Sequence, residues 1–157
     1  DVVLDLMIHD LDLVLSLSNS EVVDVQATGA AVITDFIDIA NAMVFFKNGS
    51  VAELGASRVS TETVRDVEVH CKSGKYFLNF LTHEAMFFES AEDSDELGQS
   101  IRVLETGKTD VDALYDELAA FVGSIQYGSS PVVSGEDGKR ALELAVEISS
   151  RIKFSSS

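Results

Sequence analysis

Apolar and polar positions divide the chain into a helical opening, a long middle of strands and a helical close. In "DLMIHDLDLVLSL", residues 5–17, the spacing is helical. Leu4, Ile8, Leu11 and Leu15 form one apolar stripe, and Leu6, Leu13 and Leu17 add a second flank. The pattern predicts a helix buried nearly all round, ended by "SNS" at 18–20. One polar edge interrupts it. Asp5, His9 and Asp12 stand four and three residues apart, and at about 100° per residue they fall in one stripe that Ser16 continues.

Small and β-branched residues from Glu21 to about Ile33 predict a strand. From Ile37 to Val59, "IANAMVFF", "KNGS" and "VAELGASRV" read as a hairpin. Asn48-Gly49 between two apolar runs predicts a type I′ turn, with positive φ at both central residues. In a second hairpin Val67, Val69 and Cys71 alternate with Asp66, Glu68 and His70, and "KSGK" turns the chain into "YFLNFL". "EAMFFE" and "IRVLE" extend the series to a predominantly antiparallel sheet of roughly five to seven strands.

Two helices close the sequence. Thr109 with Asp112 predicts the first N-cap; Leu114, Leu118, Phe121 and Ile125 supply its apolar stripe, and Gly128 ends it. Ser134 with Asp137 repeats the cap, and Ala141, Ala145, Ile148 and Ile152 form the inward stripe of the second helix. Between them, "GSSPVVSGEDG" is a tight ordered connection carrying the only proline.

Helix, strands, helices is an α+β order: an open, predominantly antiparallel sheet with helices packed on one face. "AMVFF" and "AMFFE" are apolar on both faces of their strands. The face without helices is therefore predicted to be buried against another copy or another domain, with Val44, Phe45 and Phe88 in or near the contact.

At 157 residues the chain is read as one domain, 1–157, able to bury a core of its own. No apolar run approaches the roughly 20 residues of a membrane span, and no leader pattern is present. The single cysteine, Cys71, excludes an internal disulfide and fits a reducing, cytoplasmic setting. Eleven basic residues against 27 acidic ones leave a net charge of −16, which repels phosphate backbones and anionic lipid; neither nucleic acid nor a membrane surface is an expected partner. "ESAEDSDE", residues 89–96, reads as a solvated loop. The start at Asp1, without methionine and inside what reads as an element, suggests a fragment of a longer protein.

The chain has no Gly-x-Gly-x-x-Gly after a strand, no Walker loop and no Cys-x-x-Cys, and "GEDGKRA" at 135–141 reads as a helix cap. Of His9, Asp10, Asp12, His70 and His83, the spacing brings together only His9 with Asp5 or Asp12, too few ligands to predict a metal site. His70 and His83 read as surface strand residues. The plain reading of Asp5 and His9 is an i, i+4 pair worth a few tenths of a kcal/mol. On a helix otherwise built for burial the pair carries more weight. A carboxylate beside an imidazole holds its tautomer and makes it a competent proton acceptor near neutral pH.

"VVLDLMIHDLDLVLSL" resembles the start of the C-terminal domain in the glucose-fructose oxidoreductase / inositol dehydrogenase (Gfo/Idh/MocA) family, where an aspartate, three residues, a histidine and a further aspartate follow one another. Asp5 and His9 match that pair, and Asp10 and Asp12 match the acidic positions after it. The hairpin "MVFFKNGSVAELGASRVS", the pair "VEVHCKSGKYFLNF" and the closing "LAAFVGSIQYGSSPVVSGEDGKRALELAVEIS" agree in order, so that the resemblance covers essentially the whole chain.

The resemblance implies a C-terminal substrate-binding and oligomerisation domain whose N-terminal dinucleotide-binding Rossmann domain, with the lysine of its Glu-Lys-Pro motif, is absent. It implies NAD or NADP, bound mainly by that absent domain, and hydride transfer from a hydroxyl-bearing carbon of a sugar, polyol or sugar nucleotide. By resemblance His9 is the acid/base or a ligand of the substrate hydroxyl, Asp5 its orienting partner, and Asp12 and Asp10 bind substrate. The sheet face implies a homo-oligomer, such as a dimer. "PVVSGEDG" is most like bacterial members acting on nucleotide-linked amino sugars. The fragment alone is expected to be inactive. The alternative is a non-catalytic binding or scaffold domain of the same fold, against which the intact Asp5 and His9 argue.

Overall fold

A computed structural model of the chain describes residues 1–89, 102–104 and 112–153. It divides into two compact units, Asp1–Thr61 with Ser129–Ser157, and Glu62–Gly128.

The first unit opens with a π-helical stretch, Val3–Met7, that runs into α1, Ile8–Ser18. Asp1 Oδ1 accepts the Val3 N–H at 2.8 Å, satisfying one of the free amides of the first turn. Val3, Met7 and Leu11 are fully buried, each four residues after the last. The wider π turn keeps this spacing on one side, because four residues then complete a turn without overshooting it as they do in an α-helix. Burial is therefore one-sided, and not nearly all round as the spacing predicts: Leu4 and Leu6 are each 42% exposed and Leu17 is 57% exposed. Asn19, in the left-handed region at φ 43°, ends α1.

Strands β1 (Val22–Ala30), β2 (Ile39–Phe46) and β3 (Val51–Ser57) form an antiparallel sheet with β2 in the centre. Residues of β2 alternate. Ala40, Ala42, Val44 and Phe46 are buried in the core, whereas Asn41 and Met43 are exposed and Ile39 and Phe45 are half-buried. Val44, expected with Phe45 at the free face, thus belongs to the core; neighbours on a strand point to opposite faces. The β2–β3 connection is a hairpin, but its turn is not type I′. The Gly49 N–H donates to Phe46 O at 2.9 Å and φ is positive at Gly49 (87°) but not at Asn48, which is a type I turn followed by a glycine bulge.

Two more helices follow along the chain, α2 (Ala113–Tyr127) in the second unit and α3 (Gly135–Arg151) in this one. Ser134 and Asp137 make the predicted capping box: Ser134 Oγ accepts the Asp137 N–H at 3.2 Å, and Asp137 Oδ2 accepts the Ser134 N–H at 2.8 Å. Ala141, Ala145, Ile148 and Ile152 are buried as the stripe predicts, together with Leu144. Leu144, Ala145, Ile148 and Ile152 share one core with Met7, Leu11, Val25, Val44 and Leu54. Full burial of a side chain such as Ile148 is worth about 1.5–3 kcal/mol.

The second unit holds an antiparallel sheet in the order β4 (Asp66–Cys71), β5 (Gly74–Asn79), β6 (Glu84–Glu89), β7 (Arg102–Leu104). Seven described strands thus form two sheets, of three and four strands, and not one sheet. The break falls between Ser57 and Asp66, where "RVSTETVR" lacks the alternation that a shared ladder needs. Gly74 has φ 142°, and a Cβ there would lie 1.9 Å from Phe88 O, so this turn requires glycine. His83 sits in the β5–β6 turn at φ 55°, not in a strand.

Within this unit α2, Ala113–Tyr127, is capped by Asp112, whose Oδ1 accepts the Tyr115 N–H at 3.1 Å, and ends at Gly128 (φ 64°). Thr109, the expected cap, lies outside the described residues. So do most of the acidic stretch 89–96 and both ends of "IRVLE". Leu114, Leu118, Phe121 and Ile125 each remain more than half exposed. α1 and α3 pack with the three-stranded sheet, and α2 belongs to the other unit.

Candidate functional site

The opening helix is fastened to the strands at the place where the sequence sets its ionisable edge. The Val2 N–H donates to Ile37 O at 2.8 Å, the Asp38 N–H to Ala30 O at 2.9 Å and the Arg58 N–H to Asp38 O at 2.9 Å. Asp38 organises this corner. Its side chain is fully buried; Oδ2 accepts the N–H groups of Val32, Ile33 and Thr34, each at 2.8 Å, and Oδ1 accepts the Thr34 hydroxyl at 2.8 Å. The Val32 amide is the largest of the influences that hold its carboxyl well below the usual carboxylate range, and the Thr34 and Ile33 amides add to it against the opposing effect of burial. The residues before Ile37 are therefore a tied-down loop, where the sequence predicts strand as far as Ile33. A signal was available: Asp38 is a lone acid between Ile37 and Ile39 at the start of an apolar strand.

At the same corner, Arg58 Nη2 donates to Asp5 Oδ2 at 2.5 Å. Asp5 is therefore paired with a residue just past the end of β3, and not with His9. Both Asp5 and His9 are exposed, and among the described residues the His9 imidazole makes no hydrogen bond or ion pair. Asp10 is half-buried. Asp12 is half-buried too and lines a cleft of about 220 Å³ with Ser16, Asn19, Val133, Asp137 and Arg140. Asp5 and His9 do not line that cleft. The predicted stripe thus has two parts, a solvent-facing Asp5/His9 edge flanked by Leu4 and Leu6, and an Asp12/Ser16 edge turned toward the start of α3.

In the cleft, Asp137 also accepts Arg140 Nη2 at 2.6 Å. Its carboxyl is lowered to about 2, first by the Ser134 hydroxyl, then by the Ser134 amide and by Arg140. Away from this corner, His70 lies 3.3 Å from Glu68, and Cys71 is exposed. Among the described residues, no group of three or more His, Cys, Asp or Glu is placed to hold a metal ion, and no helix is long and apolar enough to cross a membrane.

A nicotinamide dinucleotide needs a cradle for its pyrophosphate, usually a helix N-terminus after a strand in a parallel βαβ unit. Every described strand pair is antiparallel. The described strands therefore offer no pyrophosphate cradle of that kind.

Fold and site together define an α+β domain that presents a carboxylate and an imidazole from its first helix. Residues 1–77 match the family model described as GFO/IDH/MocA C-terminal domain. UDP-N-acetylglucosamine 3-dehydrogenase of Acidithiobacillus ferrooxidans is 34% identical over 148 residues, which cover 94% of this chain and 47% of that enzyme. Its solved structure superposes with a TM-score of 0.87 at 33% identity, over 97% of this chain and 47% of the other. Myo-inositol 2-dehydrogenase of Thermotoga maritima is 28% identical over 148 residues, 90% of this chain and 43% of the enzyme. A levoglucosan dehydrogenase in complex with NADH and levoglucosan, at 20% identity and a TM-score of 0.80 over 96% of this chain and 47% of its own, shares the fold. The chain belongs to the Gfo/Idh/MocA family, as its C-terminal domain. It spans about half the length of the curated relatives it matches.

Proposed function

We propose that the chain is the substrate-binding and oligomerising half, residues 1–157, of an NAD(P)-dependent oxidoreductase acting on a hydroxyl of a sugar, polyol or sugar nucleotide. One observation carries the reading: Asp5 and His9 are exposed on a helix whose other side, at Met7 and Leu11, is fully buried. Likeness to a UDP-N-acetylglucosamine dehydrogenase favours a sugar nucleotide over a free polyol. The coenzyme, held by a dinucleotide-binding half, supplies the hydride acceptor. This chain's part is the proton. Neutral His9 takes it from the substrate hydroxyl as the carbonyl forms, Asp5 orients the ring, and Asp12 and Asp10 hold neighbouring hydroxyls.

Oligomerisation through the sheet has support of its own. The outer stripe of β2 is Ile39, Asn41, Met43 and Phe45, and its apolar end, Met43 and Phe45, is bordered by Asp24, Gln26 and Glu53 on the flanking strands. The acidic surface disfavours nucleic acid, and the reduced state suited to Cys71 favours the cytoplasm.

The test is a screen of the complete protein with NAD⁺ and NADP⁺ against UDP-N-acetylglucosamine, myo-inositol and a panel of sugars. Reduced nicotinamide is expected with at least one nucleotide-linked sugar. A folded protein that reduces neither coenzyme with any of them overturns the reading in favour of a scaffold.

A further inference from the structure

We propose that Arg58 is a positioning residue for the Asp5–His9 pair: its guanidinium holds the Asp5 carboxylate by one oxygen, and so sets how that carboxylate meets the His9 ring. The proposal rests on Asp5 and His9 being the acid/base pair. Its own ground is the contact between the end of β3 and the π-helical turn, where Arg58 Nη2 donates to Asp5 Oδ2 at 2.5 Å. Among the described residues Asp5 Oδ1 accepts no hydrogen bond, so it is open to a second donor.

An exposed ion pair is usually worth little, because two long side chains must be ordered to make it. Here the backbone of the cation is already fixed. The Arg58 N–H donates to Asp38 O, Ser57 pairs with Ile39 in the sheet, and the Asp38 side chain is bound to the loop beside it. On the other side, Asp5 sits in the π-helical stretch whose residues Val3 and Met7 are buried. Backbone hydrogen bonds place one end and core packing the other, and the pair adds direction more than stability.

The carboxylate therefore has two competing cationic partners, Arg58 and protonated His9 one turn on. While Arg58 is present, it offsets the charge that the Asp5 carboxylate turns toward the imidazole. Without Arg58 the carboxylate turns to His9 and favours the imidazolium, which cannot act as a base. The other charged groups near the helix are Asp1 ahead of it, Asp10 and Asp12 on α1 itself, Glu21 just before β1, and Asp137, Arg140, Glu143 and Glu147 on α3. The α3 groups stand beside Leu15 and Asn19, at the far end of α1.

The chain has three histidines, so proton NMR can follow each ring through a pH titration, with His70 and His83 as internal references. In Arg58→Gln the His9 midpoint should rise by roughly half a pH unit or more while the references stay fixed; Arg58→Lys should lie near wild type, and adding Asp5→Asn to Arg58→Gln should abolish the rise. Unchanged His9 titration in a folded Arg58→Gln protein overturns the proposal. In the complete enzyme with UDP-N-acetylglucosamine, Arg58→Gln should lower kcat roughly tenfold, leave KM within about twofold and move the rising limb of the pH profile to higher pH, with Arg58→Lys recovering most of the loss. A rise in KM alone would make Arg58 a substrate contact and also overturn it. If wild type oxidises no sugar, the functional reading fails, whereas the titration still decides whether Arg58 governs the pair.

Discussion

Thr34 and Asp38 close the β1–β2 connection on itself: the threonine hydroxyl donates to Asp38 Oδ1 at 2.8 Å while Oδ2 gathers three consecutive amides. Asp38→Ala leaves those amides without their buried acceptor and should lower Tm by on the order of 5–10 °C, whereas Thr34→Val should lower it by a few degrees. Thermal melts by circular dichroism read both. Equal melts for wild type and Asp38→Ala would show that the loop is not held in this way.

The same carboxylate and Asp137 give the fold an acid dependence. Both groups titrate lower when folded than in an ordinary carboxylate, so their contributions are fully present above the usual carboxylate range and are lost as pH falls through the folded values. For Asp137 that window closes at about pH 2. Asp137→Asn should therefore destabilise most at neutral pH, and progressively less as pH approaches about 2. Ser134→Ala, which removes the other half of the capping box, should cost about 1 kcal/mol in denaturant melts at pH 7.

Val44 and Phe45 separate core packing from the outer sheet face. Val44→Ala opens a cavity in the core and should cost on the order of 1–3 kcal/mol. Phe45→Ser should leave the melt of the isolated chain within a few degrees, yet weaken self-association in sedimentation velocity if the outer face of β2 is the contact. Loss of stability without change in association would place the contact elsewhere.

The chemistry is tested in the complete enzyme. His9→Ala should reduce the rate of hydride transfer by roughly 10²- to 10⁴-fold in a single turnover. Asp5→Asn should do less and shift the pH profile, and Asp12→Asn should chiefly raise KM. Near-normal turnover by a folded His9→Ala protein would leave Asp5 and His9 as ordinary exposed residues of the helix.

At Gly74 the turn leaves no room for a side chain, since the nearest backbone oxygen, that of Phe88, stands where a Cβ would go. Gly74→Ala should lower Tm more than Gly49→Ala, whose Cβ would meet nothing within 4 Å. Both positions have positive φ, and at Gly74 the clash with Phe88 O adds to the backbone cost.

The sequence alone determined what depends on near neighbours along the chain. The capping box of Ser134 and Asp137, the buried stripe from Ala141 to Ile152, the antiparallel hairpins and the Asp5/His9 spacing are all set by periods of 3.6 and 2 and by local hydrogen bonding, which a linear pattern records directly. The family resemblance was legible for the same reason, in the aspartate and histidine of the first helix. Tertiary structure decided what depends on residues far apart. That Asp5 meets Arg58, 53 positions away, and that Asp38 gathers the loop before it, follow from the meeting of β3, the π-helical turn and the β1–β2 loop, which no local period encodes. One-sided burial of the first helix, the placing of Val44 inside and Phe45 outside, and the division of seven strands into two sheets were decided in the same way. An apolar residue reports that it can be buried, and only the packed elements determine which face is.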